Sequence, residues 1–183
     1  MTNVHKVFVS YYHDEDQEYK KEFDKICRDV MVSKSIQPGD IDTDTNTERV
    51  MQRIRDEYLK DSTVTVVLIG RHTWQRKYVD WEIYSSLRLS SNKLRSGLLG
   101  IILPTRDDYK KEKYDACTVP PRLYDNNIKK NNPEPYAYVY HWTDDPSKIQ
   151  EWIDWAYSVR DNYTPDLSRE RYGKNHTTST WCN

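Results

Sequence analysis

One glutamate in this chain stands among aromatic and hydroxyl side chains at a spacing that could support chemistry. It is Glu82, within the stretch GRHTWQRKYVDWEIYSSL at residues 70–87, with Tyr78 before it and Ser86 after it. On a helix, residues four apart share a face, so these three side chains form one column beside an apolar stripe. A carboxylate at such an edge is partly desolvated yet reachable, which can raise its pKa and prepare it to act on a substrate. The alternative is an ordinary boundary glutamate that forms an ion pair with Arg71, Arg76 or Lys77.

Aromatic side chains are frequent, and several lie where they could contact a flat ligand. The chain has 15 tyrosines and 6 tryptophans, and such rings stack on flat ligands or on partner proteins. An aromatic-rich core and rim is the alternative interpretation. Trp81 projects about 100° around the helix from Glu82, so packing against a neighbouring element or another protomer is as good an explanation for it as ligand contact. The candidates for substrate binding are Ser10, Tyr11, Tyr12, Trp74, Tyr78 and Trp81.

The composition excludes several classes of protein. Lys and Arg number 28 against 29 Asp and Glu, so no overall basic field attracts nucleic acid or an anionic membrane. The 5 glycines cannot be arranged into G-x-G-x-x-G or a Walker A loop, so a nucleotide must be held by another device. No C-x-x-C or similar spacing predicts a metal site.

The cysteines and the first residues bear on location. Cys27, Cys117 and Cys182 are far apart and odd in number, which fits no disulfide framework and favours a reducing compartment. The first twenty residues have a short apolar run followed at once by acids, without the long apolar region of a signal peptide or a membrane span. We therefore expect a cytoplasmic protein.

The order of elements predicts a parallel sheet with helices on both faces. Apolar or β-rich runs at residues 6–12, 62–70, 98–104 and 136–142 read as strands, with a short edge strand near residue 36. Amphipathic helices alternate with them, at residues 16–31, from the Thr45–Glu48 capping pair onward, at 76–90 and at 145–160. Residues 1–162 form one domain, the proline-rich segment 105–136 is largely irregular, and 163–183 are a C-terminal tail.

In a sheet of this kind the ligand lies beyond the carboxyl ends of the strands. We therefore expect the site where three segments converge: SYYHDED at residues 10–16, the loop at 33–46, and the residues that follow Gly70.

Two stretches of the chain resemble TIR domains. VFVSYYHDEDQEY is similar to their first strand and loop, and VTVVLIGRHTWQRKYVDWEI to a later strand, loop and helix in which an aromatic residue stands four positions before the functional glutamate. Tyr78 and Glu82 match that pair. The motif LIG-x2-TW-x4-VDWEI is closer still to the TIR-like proteins of the bacterial Thoeris antiphage defence system, and the similarity covers about residues 4–160.

The resemblance implies a flavodoxin-like doubly wound sheet and an enzyme that uses NAD+ as substrate, without a further cofactor. Thoeris TIR proteins cleave NAD+ at the nicotinamide–ribose bond and make a cyclic isomer of ADP-ribose, which activates a separate effector during phage infection. Glu82 would stabilise positive charge on the ribose, and Ser10 and Tyr78 match family positions best among the binding candidates. Further partners left open are a phage-derived trigger protein and other copies of this chain, and residues 105–136 could bind the trigger or close over the substrate.

The chain departs from many TIR NADases in two places. Tyr12 and His13 follow the first-strand serine where an arginine is common, and the second loop has the acidic DIDTDTNTE where a glycine is common. The resemblance therefore leaves the residues that bind the diphosphate undefined.

Three other functions share the predicted fold class. A phosphoacceptor receiver domain would need an aspartate where the chain has Gly70, and a flavin-binding electron carrier would need a phosphate loop where it has the acidic SYYHDED. The remaining rival is a non-catalytic TIR-like module that assembles through its loops in defence signalling, since fold alone does not decide function.

Overall fold

The computed structural model describes residues 4–37, 39–40, 46–90, 94–130 and 132–182. The strands are β1 (His5–Ser10), β2 (Met31–Lys34), β3 (Val64–Ile69), β4 (Gly97–Ile102) and β5 (Ala137–His141). They form one parallel sheet in the order β2-β1-β3-β4-β5. This is the flavodoxin-like doubly wound arrangement, so the predicted fold class is confirmed. The edge strand expected near residue 36 lies slightly earlier.

Helices cover both faces of the sheet. They are α1 (His13–Cys27), α2 (Thr47–Arg53), α3 (Lys77–Leu87), α4 (Pro121–Asn127) and α5 (Pro146–Val159), and α2 continues into a π-helical turn over Ile54–Tyr58. Helices α1 and α5 pack on one face through an apolar cluster that includes Phe23 and Ile153. Helices α2, α3 and α4 pack on the other through two further clusters.

The central strands are buried from end to end. All six residues of β3 and all six of β4 are shielded from solvent, because helices cover the two faces and neighbouring strands cover the edges. Strands in such a setting are continuous apolar runs rather than alternating ones. The runs VTVVLI and GLLGII therefore predicted these strands correctly.

The sheet brings the ends of β1 and β3 together. Ser10, the last residue of β1, lies opposite Val67 of β3, and the chain leaves β1 toward β2 on one side and enters β3 on the other. At such a reversal of strand order the connecting loops diverge and leave a crevice, where doubly wound proteins bind ligands. The loop after β1 and the start of α3 form the walls of this crevice.

Residues 105–136 contain more regular structure than a loop. Pro121 begins the two-turn helix α4, with proline at the helical start where its missing N–H is not needed. Before it, the buried Arg106 donates hydrogen bonds to Asp108 and to the carbonyl oxygen of Thr118. These bonds fold residues 106–118 back on themselves.

The C-terminal residues lie against the domain without forming a helix or strand. Residues 163–182 run across α3 and α4, and their end is bonded to the domain by a disulfide between Cys117 and Cys182. The expectation that no disulfide forms was wrong. The two cysteines are 65 positions apart in sequence, but the returning tail brings their Cα atoms to 5.3 Å, a proximity that spacing alone did not indicate. Cys27 is buried and free.

None of the helices in the described ranges combines the length and the apolar character that a bilayer crossing requires.

Candidate active site

A cavity of about 300 Å³ opens at the crevice beyond β1 and β3. Its walls come from residues 11–14 after β1, from residues 36, 37 and 39, from the start of α3, and from Asn175 of the tail. These are the three segments that the sequence predicted to converge, joined by one that it did not. Residues 38 and 41–45 of the second loop lie outside the described residues.

Glu82 lies at the buried end of this cavity. Its side chain is 5% exposed, and its Oε2 accepts a hydrogen bond from the Ser10 hydroxyl at the tip of β1. Burial raises the pKa of Glu82 to about 8, although the Ser10 hydrogen bond acts in the opposite direction. Desolvation dominates because water stabilises the charged carboxylate and little water reaches it here. With only protein groups around it, the Glu82 carboxyl is therefore mostly neutral at neutral pH.

Glu82 is more deeply buried than the sequence suggested. The stripe of Val79, Ile83 and Leu87 packs on the sheet as expected, but α3 is also covered on its outer side. There the Trp81 indole N–H donates to the Tyr172 carbonyl oxygen at 2.8 Å. The tail thus encloses a helix that amphipathic spacing had placed at the surface.

Tyrosine rings form the cavity walls near the glutamate. Tyr11, Tyr12 and Tyr78 all line the cavity. Tyr11 is almost completely buried, and its hydroxyl donates to Gln17 Oε1 at 2.7 Å. Tyr78 packs edge-to-face on Trp81 with ring centroids 5.2 Å apart. Fixed rings of this kind offer a flat ligand a stacking surface at low entropic cost.

The two predicted tryptophans do not reach the cavity. Trp81 packs into the apolar cluster around Phe8 and Ile54, which is the packing role weighed for it above. Trp74 is 1% exposed and borders a second cavity of about 400 Å³ near Arg106. Ser10 is absent from the cavity wall but contacts it through Glu82. Of the seven predicted site residues, the structure thus brings together Ser10, Tyr11, Tyr12, Tyr78 and Glu82.

Arg76 and Asn175 also line the cavity, and the sequence predicted neither of them as a site residue. The Arg76 guanidinium carbon lies 4.0 Å from the centre of the Tyr12 ring. Asn175 Oδ1 accepts the backbone N–H of Lys77 at 2.9 Å, so it satisfies one of the N–H groups left free at the start of α3. Arg76 was considered only as an ion-pair partner of Glu82. Nothing in the sequence of the tail indicated that Asn175 returns to this helix.

A buried ion pair fixes the orientation of α3. Arg122 of α4, 0% exposed, donates to both carboxylate oxygens of Asp80 at 2.8 and 3.3 Å. Asp80 Oδ2 also accepts the Tyr172 backbone N–H at 2.9 Å. The contact joins α3, α4 and the tail directly behind the helix that presents Glu82. It is a positioning contact, since Asp80 does not line the cavity.

Within the described ranges, no three His, Cys, Asp or Glu side chains are grouped so that they could hold a metal ion. The groups that line the crevice cavity include a carboxyl that ionises near neutral pH, aromatic rings and a guanidinium.

The chain matches the model of a known protein family. The family model described as Thoeris protein ThsB, TIR-like domain, matches residues 8–108. This range runs from β1 past β4 and includes Ser10, Tyr78 and Glu82. No curated protein sequence matches the chain.

Proposed function

We propose that this chain, which belongs to the Thoeris ThsB family of TIR-like domains, cleaves NAD+ at its nicotinamide–ribose bond and cyclises the remaining ADP-ribose. Membership of the family connects the chain to Thoeris antiphage signalling. The cyclic product would act as a diffusible signal on a separate effector, after activation by a phage-derived trigger. The observation that carries the proposal is the buried Glu82 carboxyl at the end of the crevice cavity, hydrogen-bonded to Ser10.

The cleavage step needs stabilisation of positive charge more than it needs an acid. When the bond from the ribose carbon to nicotinamide breaks, its electron pair goes to the ring nitrogen, so nicotinamide leaves as a neutral molecule. The ribose then carries the positive charge, as in glycoside cleavage. A carboxylate fixed beside that carbon stabilises the charge without reorganisation. A second acid is unnecessary, and one glutamate suffices.

The raised pKa of Glu82 suits this step. The nicotinamide ring of NAD+ is positively charged, and an opposite charge nearby favours the ionised form of a carboxyl. Substrate binding would therefore lower the pKa of Glu82 and produce the carboxylate where it is needed. A carboxyl whose pKa in the protein alone is about 8 titrates in the range where such a shift changes its charge at neutral pH.

Cyclisation requires the adenosine half to reach the ribose carbon before water does. The attacking group of adenosine forms the new bond to that carbon and releases its proton to Glu82 or solvent. Packed tyrosine rings favour this outcome, because they exclude water and can hold the folded substrate. At about 300 Å³ the cavity is at the lower end of ligand sites. It would hold the nicotinamide riboside half, with the adenosine half over its mouth.

A purely structural module is the weaker alternative. Burying a carboxyl with a raised pKa lowers stability at neutral pH, because the unfolded chain gains more from ionising. Such a cost is typical of sites arranged for chemistry. A scaffold that assembles through its loops gains nothing from a buried carboxyl that lowers its stability.

The test is incubation of the purified protein with NAD+ and quantification of nicotinamide and of cyclic ADP-ribose. An extract of phage-infected cells is added in a parallel series to supply the trigger. We expect wild type to release nicotinamide and form a cyclic product, and Glu82→Gln to form neither. Glu18→Gln, a matched change at an exposed position of α1, should behave as wild type. Turnover by Glu82→Gln at the wild-type rate would refute the proposal.

A further inference from the structure

NAD+ brings a diphosphate with two negative charges, and the cavity must accommodate them. Its wall already includes the exposed acid Asp14 and the buried carboxyl of Glu82. Burial lowers the pKa of His13 below its ordinary value, so this imidazole is neutral at pH 7. Among the described residues that line the cavity, Arg76 is the one with a permanent positive charge.

The Arg76 guanidinium is held in a fixed position. It lies on the face of the Tyr12 ring at 4.0 Å, a cation–π contact. Its Nε donates to the His72 carbonyl oxygen at 3.4 Å, and its Nη2 donates to Gln75 Oε1 at 3.0 Å. These acceptors are neutral, and no carboxylate of the described residues lies within ion-pair distance of Arg76. A guanidinium has five N–H groups, so several remain for a ligand.

Arg76 stands at the start of the helix that carries Glu82. It directly precedes α3, whereas Glu82 lies six residues further along, which is about 9 Å along the helix axis. In NAD+ the diphosphate follows the nicotinamide ribose directly, so with the ribose against Glu82 its phosphate can lie toward the start of the helix. The positive end of the α3 dipole adds to the attraction there.

We infer that Arg76, supported by the Tyr12 ring, binds the diphosphate of NAD+ and takes the place of the arginine that many TIR NADases have after the first strand. This inference rests on the proposed function. It explains why an aromatic residue can stand at position 12: the ring orients a guanidinium supplied from the start of α3 instead. The departure from the family pattern is then a relocation of the positive charge and not its loss.

The test measures binding in the absence of turnover. Calorimetry on the Glu82→Gln protein gives the dissociation constant for NAD+ and for nicotinamide riboside, which has no phosphate. The same measurements are made after a second substitution, Arg76→Gln, is introduced into the Glu82→Gln protein. Arg28→Gln in the same background is the control, since Arg28 is an exposed arginine at the far end of α1. Loss of charged hydrogen bonds should weaken NAD+ binding about 10- to 100-fold. Nicotinamide riboside should bind as before, and Arg76→Lys should recover part of the NAD+ affinity.

The outcomes separate this inference from the function on which it rests. Equal NAD+ affinity for the Arg76→Gln and Arg28→Gln proteins would overturn the assignment of Arg76 and leave the proposed function standing. An equal loss for NAD+ and nicotinamide riboside would also overturn it, since that would show a damaged cavity and not a lost phosphate contact. Failure of both the wild-type and the Glu82→Gln protein to bind NAD+ would overturn the proposed function itself.

Discussion

Replacing Glu82 by glutamine should change how stability depends on pH. The carboxyl has an ordinary pKa of 4.5 and a pKa of about 8 in the folded protein. Between these values the unfolded state binds fewer protons than the folded state, so the free energy of unfolding falls as pH rises. Glutamine has nearly the same shape, can still accept the Ser10 hydrogen bond, and does not titrate. The variant should therefore lack this decline.

The size of the effect follows from the same two values. Each pH unit between them changes the free energy of unfolding by about 1.4 kcal/mol. From pH 5 to pH 8 the stability of wild type should fall, relative to the variant, by about 3 to 4 kcal/mol. The two proteins should be similar near pH 5, and the variant clearly more stable at pH 8.

Urea denaturation followed by tryptophan fluorescence at several pH values measures this difference. Glu18→Gln serves as the control, because the side chain of Glu18 is 82% exposed and its replacement removes the same charge without a burial effect. The stability difference between Glu18→Gln and wild type should stay within about 0.5 kcal/mol throughout. A constant difference between Glu82→Gln and wild type from pH 5 to pH 8 would refute the reasoning, since it would mean that Glu82 ionises as freely in the folded protein as in the unfolded chain.

Two further predictions concern the contacts that hold α3 and the tail. Cys182→Ser removes the disulfide to Cys117, which links residues 65 positions apart, and should lower the free energy of unfolding by about 4 kcal/mol. A reducing agent should lower the free energy of unfolding of wild type by the same amount and leave that of the variant unchanged. If reduction did not change the stability of wild type, the prediction would be contradicted. Asp80→Asn leaves the buried Arg122 without its carboxylate and should lower the free energy of unfolding by about 3 kcal/mol or more. The control Asp29→Asn, at a side chain that is 91% exposed, should change it by about 0.5 kcal/mol at most. If urea denaturation gave the same small change for both variants, the Asp80–Arg122 ion pair would not contribute to stability.

The fold was predictable because its signals are local. The runs at β3 and β4 and the capped helix α5 could be recognised from a few neighbouring residues. In α5, Asp145 accepts the Ser147 N–H, and Pro146 opens the helix as expected. Apolar runs and caps depend on short-range physics that the sequence displays directly. The alternation of strands with helices then predicted a parallel sheet, and the resemblance to TIR domains implied its flavodoxin-like strand order.

The candidate site was predictable only where it depends on the same local signals. Ser10 and Glu82 stand at the end of a strand and on the helix after its neighbour, so topology alone brings them together. Asn175 and the burial of Trp81 depend on the path of the tail, which has no periodic pattern to follow. The disulfide partner of Cys117 was missed for the same reason. Long-range contacts of irregular chain are the part that sequence patterns do not specify.

The central claim is that the Glu82 carboxylate carries the reaction, and the most direct test replaces this group by a small carboxylate supplied in solution. Glu82→Ala should leave a small space beside Ser10 and abolish the release of nicotinamide from NAD+. Formate, which fits such a space and carries the same charge, should restore the release in a saturable manner, whereas the neutral acetamide should not. Nicotinamide release by Glu82→Ala at the wild-type rate, or equal rescue by acetamide, would contradict the account, because the charge at this position would then be irrelevant to the reaction.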